Sequence, residues 1–198
     1  MSKREHFEET GILPEGYRRL AYIESTGTQY INTNVNKLPS VRLVTEVQYT
    51  DLSKQSIMGW GSSQYREVFR FNCAQNGFYL LYGDDSNTIV TITTTPDNNW
   101  HTWDISNGSQ KFDSTEYSIR TMTRSGNTLY LFSLHAQWTS ALTCPCFCRM
   151  KYCDIYRNNQ LIRKYIPALR LSDSKPGLLD ITNETFYINA GTGEFLYN

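Results

Sequence analysis

The clearest pattern of apolar and polar positions lies between Ser40 and Tyr49. Val41, Leu43, Thr45, Val47 and Tyr49 fall on one face of an extended chain, and Arg42, Glu46 and Gln48 on the other. A period of two is the signature of a half-buried strand. Further extended runs are expected at Ser56 to Met58, Val68 to Asn72, Phe78 to Tyr82, Ile89 to Thr94, Trp100 to Ile105, Thr128 to Leu134, Arg149 to Tyr156 and Leu161 to Ile166. Turn chemistry separates them: Gln75-Asn76-Gly77, Gly83 to Asn87, Pro96 to Asn99, Ser106-Asn107-Gly108, Ser125-Gly126-Asn127 and Arg157-Asn158-Asn159. Helical periodicity is confined to a short stretch near Arg4 to Glu9, too brief to hold a helix alone. Short strands at this spacing predict an all-β sandwich or barrel. A polar arm, residues 1–13, precedes one predicted domain, residues 14–198.

Length and composition narrow the picture. A chain of 198 residues with 39% hydrophobic and 14% aromatic content suits one domain with a substantial core. The 19 Lys and Arg cancel the 19 Asp and Glu, and no basic run occurs. That removes the electrostatic footprint of a nucleic-acid binder and of a polybasic membrane anchor. No apolar stretch reaches the roughly 18 residues of a membrane helix, so neither nucleic acid nor membrane insertion is expected. Residues 1–9 are polar where a signal peptide would be apolar. The expectation is a protein made in the cytoplasm without a signal peptide that reaches a virion or an extracellular surface by a route such as assembly and lysis; remaining where it is made, and a leader already cleaved, are the alternatives.

Of the five cysteines, four crowd together as Cys144-Pro-Cys146-Phe-Cys148 and Cys153. Structural zinc usually draws on two knuckles with a turn inside each, and this segment has none. A spacing of two along a strand points sulfurs to one face, which predicts buried thiols and no bound metal or cofactor. A metal site and a redox or disulfide role are the competing readings of the same residues.

Specific motifs stand at both ends. Leu13-Pro14-Glu15-Gly16-Tyr17, continuing through Tyr22-Ile23-Glu24-Ser25-Thr26-Gly27-Thr28-Gln29-Tyr30-Ile31-Asn32-Thr33, closely resembles the opening of concanavalin A-like sandwich domains. That family is related to laminin-G-like modules and abundant in gut bacteria and their phages. Lys151 to Tyr156 with Leu161 to Pro167 resembles its paired terminal strands. Gly177-Leu178-Leu179-Asp180, with Phe186 to Gly193, resembles its final loop and closing strand. Trp100-His101-Thr102-Trp103 is similar to the Trp-His strand of laminin-G-like modules. The resemblance implies two packed antiparallel sheets in a concanavalin A-like jelly roll, with the closing strand beside the opening ones. It implies activity only loosely, because one sandwich hosts lectins, glucanases and protein-binding modules.

The sandwich glucanases that share this fold carry paired carboxylates along one strand, and no strand here has two acids at that spacing. Glu46 stands alone on the outward face of its strand. No nucleophile elbow or His-Glu-x-x-His motif occurs, so no enzyme is expected and no catalytic residue is named. Gly83 to Thr88 offers oxygens but lacks the further acids of a calcium loop, and a hairpin turn explains it. Asp180 reads as a structural acceptor of backbone bonds.

Glycan recognition needs flat aromatic faces and planar polar groups. Trp100 and Trp103 lie in a strand, where at least one should pack in the core. Trp60, between two glycines, and Trp138 read as loop aromatics, with a tryptophan capping one end of the sandwich core as the competing reading of either. Gln64, Tyr65 and Arg66 add donors and a ring beside Trp60, and Asp84 adds an acceptor. The expected function is a non-catalytic recognition or adhesion module of a phage virion, a capsid decoration or tail-associated protein, binding cell-surface or mucosal glycans. The alternative is a purely structural protein–protein module that docks on other virion subunits through the N-terminal arm and binds no sugar.

Overall fold

The computed structural model describes residues 11–198 except 37, 55, 62–67, 75–76, 84–88, 94, 124–125 and 137–145. Every regular element among the described residues is a strand. In chain order they are β1 (Tyr17–Arg19), β2 (Ile23–Thr26), β3 (Ile31–Asn36), β4 (Val41–Tyr49), β5 (Ser56–Gly61) and β6 (Val68–Ala74). Next come β7 (Gly77–Gly83), β8 (Ile89–Thr93), β9 (Trp100–Ser106), β10 (Ser109–Phe112), β11 (Thr115–Ser118) and β12 (Thr128–Leu131). The chain closes with β13 (Leu134–Ala136), β14 (Phe147–Arg157), β15 (Gln160–Arg170), β16 (Lys175–Asp180), β17 (Thr185–Ile188) and β18 (Leu196–Tyr197).

The strands form two sheets. An 11-stranded sheet runs β11-β10-β9-β4-β14-β15-β16-β17, with β1 on β15 and β18 on β2, which itself pairs with β14. A 7-stranded sheet runs β3-β12-β5-β6-β7-β8, with β13 on β5. One continuous core joins their inner faces: Ile23, Leu43, Val47, Tyr49, Trp103 and Ile155 from the large sheet, and Met58, Trp60, Phe78, Leu80 and Leu131 from the small one. The arrangement is sandwich-like, and its pairings are antiparallel except β13 with β5, which is parallel.

Sequence period dictates the faces. In β4, burial alternates along all nine residues, with Val41, Leu43, Thr45, Val47 and Tyr49 inward. In β9 the same alternation sends Trp103 into the core and leaves Trp100 half-buried on the outer face. The run from Thr128 to Leu134, expected as one strand, is broken at Phe132, whose φ of 63° is incompatible with a straight strand. β12 and β13 therefore pair differently. The β14–β15 hairpin turns at Asn158 and Asn159, both at positive φ, as a two-residue turn demands. The β10–β11 hairpin was not expected, because its pattern is polar and one of its inward residues is Gln110.

The two ends hold each other. Gln29, 4% exposed, accepts bonds through Oε1 from Ser25 Oγ and the Thr26 amide, and its Nε2 donates to the Glu194 carbonyl. The Ala190 and Thr192 amides donate to the carbonyls of Tyr30 and Thr28. A Cβ on Gly191 would sit 2.1 Å from the Thr28 carbonyl oxygen, so only glycine permits this approach. Asp180, fully buried, accepts from the Lys164 and Thr182 amides, a structural acceptor as its motif suggests. On the outer side of β15 and β16, the segment from Leu13 to Tyr17 covers a small apolar cluster of Ile166, Ala168, Leu179 and Ile181.

Candidate functional site

The outer face of the large sheet is irregular in the middle of β14. One edge of that strand changes partner: Met150 pairs with Ile23 of β2, and Cys153 with Tyr165 of β15. Lys151 and Tyr152 lie in the gap between those two ladders. Along the other edge, the register against β4 shifts between Met150 and Tyr152, leaving Lys151 as an extra residue. This is a β-bulge, a device that re-aims side chains. Thr45 Oγ1 donates to the Tyr152 carbonyl at 2.6 Å, tying down the bulged backbone from the inside.

The bulge also resolves the cysteine spacing. Cys148 and Cys153 are an odd number of residues apart and would face opposite ways on a regular strand. The extra residue restores the phase. Cys73, Cys146, Cys148 and Cys153 are all free and 0% exposed. The Cys146 and Cys148 sulfurs lie 3.4 Å apart. Burial pushes the Cys73 thiol up to about 12 and raises those of Cys148 and Cys153 well above the ordinary thiol value. Such thiols are poor nucleophiles and poor ligands.

Because Lys151 and Tyr152 both turn outward, a groove of about 590 Å³ opens over them. Its floor and walls come from Val44 and Glu46 on β4, Tyr152 and Asp154 on β14, Lys164 and Ile166 on β15, and residues 19–21, which link β1 to β2. Lys151 Nζ donates to Glu46 Oε1 at 2.6 Å and lies 4.2 Å from the centre of the Trp100 ring. A neighbouring hollow of about 570 Å³ holds Tyr22, Glu24, Arg149 and Tyr197. There Arg149 donates to Glu24 at 2.7 Å and to Gln48 at 3.1 Å, and stacks 4.7 Å from the Tyr22 ring.

Aromatic rings on this surface are largely capped by cations that are themselves ion-paired. Arg42 lies over Tyr156 and pairs with Asp104; Arg170 lies over Phe186 and pairs with Asp173. Tyr152 differs. Among the described residues, neither a cation nor another ring stacks on it. Burial, with the charges of Glu46 and Asp154 nearby, raises its phenol above the usual tyrosine value. It is the aromatic face of the groove open to a ligand.

Asp154 is the costly group. Its side chain is 15% exposed, and Oδ1 is buried without a hydrogen bond. Oδ2 stands 3.9 Å from Lys164 Nζ, an ion pair too long for a hydrogen bond. Burial is the main cause that raises this carboxyl; Lys164 opposes the rise, and Asp180 adds to it. A destabilised carboxyl in a groove is what binding and catalytic sites tend to contain. Register makes Asp154 and Glu46 diagonal neighbours across β4 and β14, since Asp154 faces Val44 and Tyr152 faces Glu46. Reading each strand alone misses this pair, because the partner acid is 108 positions away.

Of the residues expected to bind glycan, Trp60 alone lies among the described residues. Trp60 is not a loop residue: it belongs to β5 and is 1% exposed, with Gly126 so close over its indole that a Cβ there would lie 2.7 Å away. Buried this far, its ring has no face for a sugar. Gln64, Tyr65, Arg66, Asp84 and Trp138 lie outside the described residues. His135, next to the Trp138 segment, stacks on Tyr130 with ring centroids 4.3 Å apart. Comparison with protein-family models finds no match to this chain, and comparison with curated proteins finds none either.

Proposed function

We propose that the chain is a non-catalytic glycan-recognition module whose site is the groove over the β14 bulge. The observation that carries this reading is the uncapped ring of Tyr152, set in a groove with Asp154, Lys164 and the apolar side chains of Val44 and Ile166. A sugar ring needs that combination, an apolar face for its C–H groups and polar groups for its hydroxyls. Catalysis by the two acids is disfavoured because Glu46 is held by Lys151 at 2.6 Å and does not stand free as a base or nucleophile. One ring and a few hydrogen bonds, each worth about 0.5–1.5 kcal/mol net, give weak monovalent binding. Display in many copies raises avidity by about 10² to 10⁴. A setting that supplies such display is a phage virion surface, which accords with the sandwich-domain family that the end motifs resemble. The adjacency of β18 and β2 supports a concanavalin A-like jelly roll as the finer fold.

The test is a glycan array probed with the domain on a multivalent support, beside Tyr152→Ala. Retained glycans that Tyr152→Ala releases, with the melting temperature nearly unchanged, support the proposal. An array without hits, or hits indifferent to Tyr152→Ala, refutes it. Reducing-sugar release from the bound glycans would overturn the non-catalytic part. The second reading, a structural module docking on another virion subunit, is favoured by exposed Ile12, Leu171, Ile188, Leu196 and Tyr197, at 43–60% exposure.

A further inference from the structure

We infer that the groove selects neutral sugars through one hydroxyl that bridges Lys164 and Asp154, a specificity that rests on the glycan reading of the same site. Lys164 Nζ has no hydrogen-bond partner among the described residues, and its nearest acid oxygen is Asp154 Oδ2 at 3.9 Å. A donor and an acceptor at that separation leave a gap that one oxygen fills. A hydroxyl about 2.8 Å from each atom spans it, accepting from the ammonium and donating to the carboxylate. Only a group that is both acceptor and donor does this. A uronate or sialate carboxylate accepts from Lys164 but meets the negative charge of Asp154 beside it.

The rest of the groove agrees with a neutral ligand. Glu46 neutralises Lys151 at 2.6 Å, so that Lys151 does not serve as a free cation for an anion. The Arg19 guanidinium lies towards Gly11, with Nη1 3.8 Å from where a Cβ would stand there. Tyr152 supplies the stacking face on β14, between the bulge and Asp154, and Val44 and Ile166 supply apolar contact. Ionised Asp154 with a buried oxygen is costly in the free protein, and charge-assisted bonds from hydroxyls recover most in such surroundings.

The experiment titrates matched neutral and uronate-bearing oligosaccharides into the full chain and follows backbone amide shifts. It compares wild type with Asp154→Asn, Lys164→Met, Lys164→Arg and Tyr152→Ala, after thermal melts confirm folding. The expected result is that neutral sugars shift the amides of Val44, Tyr152 and Ile166. Asp154→Asn and Lys164→Met should weaken them about tenfold or more, the scale of one charge-assisted bond, and Lys164→Arg should restore part of the loss. If uronate sugars bind better, and Asp154→Asn strengthens them while Tyr152→Ala abolishes binding, the glycan site stands and the neutral-sugar inference falls. If neither class shifts those amides, both fall.

Discussion

Replacing Trp60 with alanine tests the placement that most separates this structure from a loop-borne site. The indole is 1% exposed, in the core cluster with Met58 and Leu131. Truncating a buried tryptophan removes its transfer free energy and leaves a cavity that the surrounding sheets fill only in part. The cost is about 3–5 kcal/mol. An unfolding entropy of about 2.1 cal/mol/K per residue over 198 residues amounts to about 0.4 kcal/mol/K. The melting temperature should therefore fall by roughly 7–12 °C. Calorimetry at one pH and salt concentration measures this, with Trp100→Ala as the contrast. Trp100 is on the outer face, and its loss removes a cation–π contact of about 0.5–1 kcal/mol and partial burial, so its melting temperature should fall by less. A Trp60→Ala protein that melts like wild type but no longer retains glycans would place the indole at the surface and refute the core assignment.

The thiols of Cys73, Cys146, Cys148 and Cys153 should resist iodoacetamide in the native protein and react only on unfolding, mapped by peptide mass; labelling of Cys148 or Cys153 without unfolding contradicts their burial. Asp154 is raised above its unfolded value, so the native state holds more protons than the unfolded state between the two pKa values, and its penalty is relieved as pH falls. Asp154→Asn should accordingly be more stable than wild type at pH 7, with the difference closing on acidification through the folded and then the unfolded pKa; chemical denaturation across pH reads this, and a difference that widens towards low pH defeats it. Gly191→Ala should destabilise by about 1–3 kcal/mol through overpacking, since its Cβ would meet the Thr28 carbonyl oxygen; an unchanged denaturation midpoint would show that the closing loop is not held against Thr28.

Much of the fold was legible along the chain because a strand's face depends only on alternation. The pattern of β4, a core tryptophan in β9, and the Asn158-Asn159 turn all follow from local geometry. Buried cysteines were legible too, since small apolar thiols on one face belong inside. Of the two readings of Trp60, the loop one fails and the core one holds, because flanking glycines do not by themselves make a loop, and here β5 pairs with β6 and Gly126 lies against the indole. The bulge at Lys151 leaves no local mark; it arises because β14 must stay in register with β4 on one edge while changing from β2 to β15 on the other. The groove is likewise a product of assembly. Leu20, Glu46, Tyr152 and Lys164 come from distant parts of the chain, and only pairing and register bring them together. Local pattern determines which way a side chain points on its own strand, while long-range pairing decides which other side chain it meets.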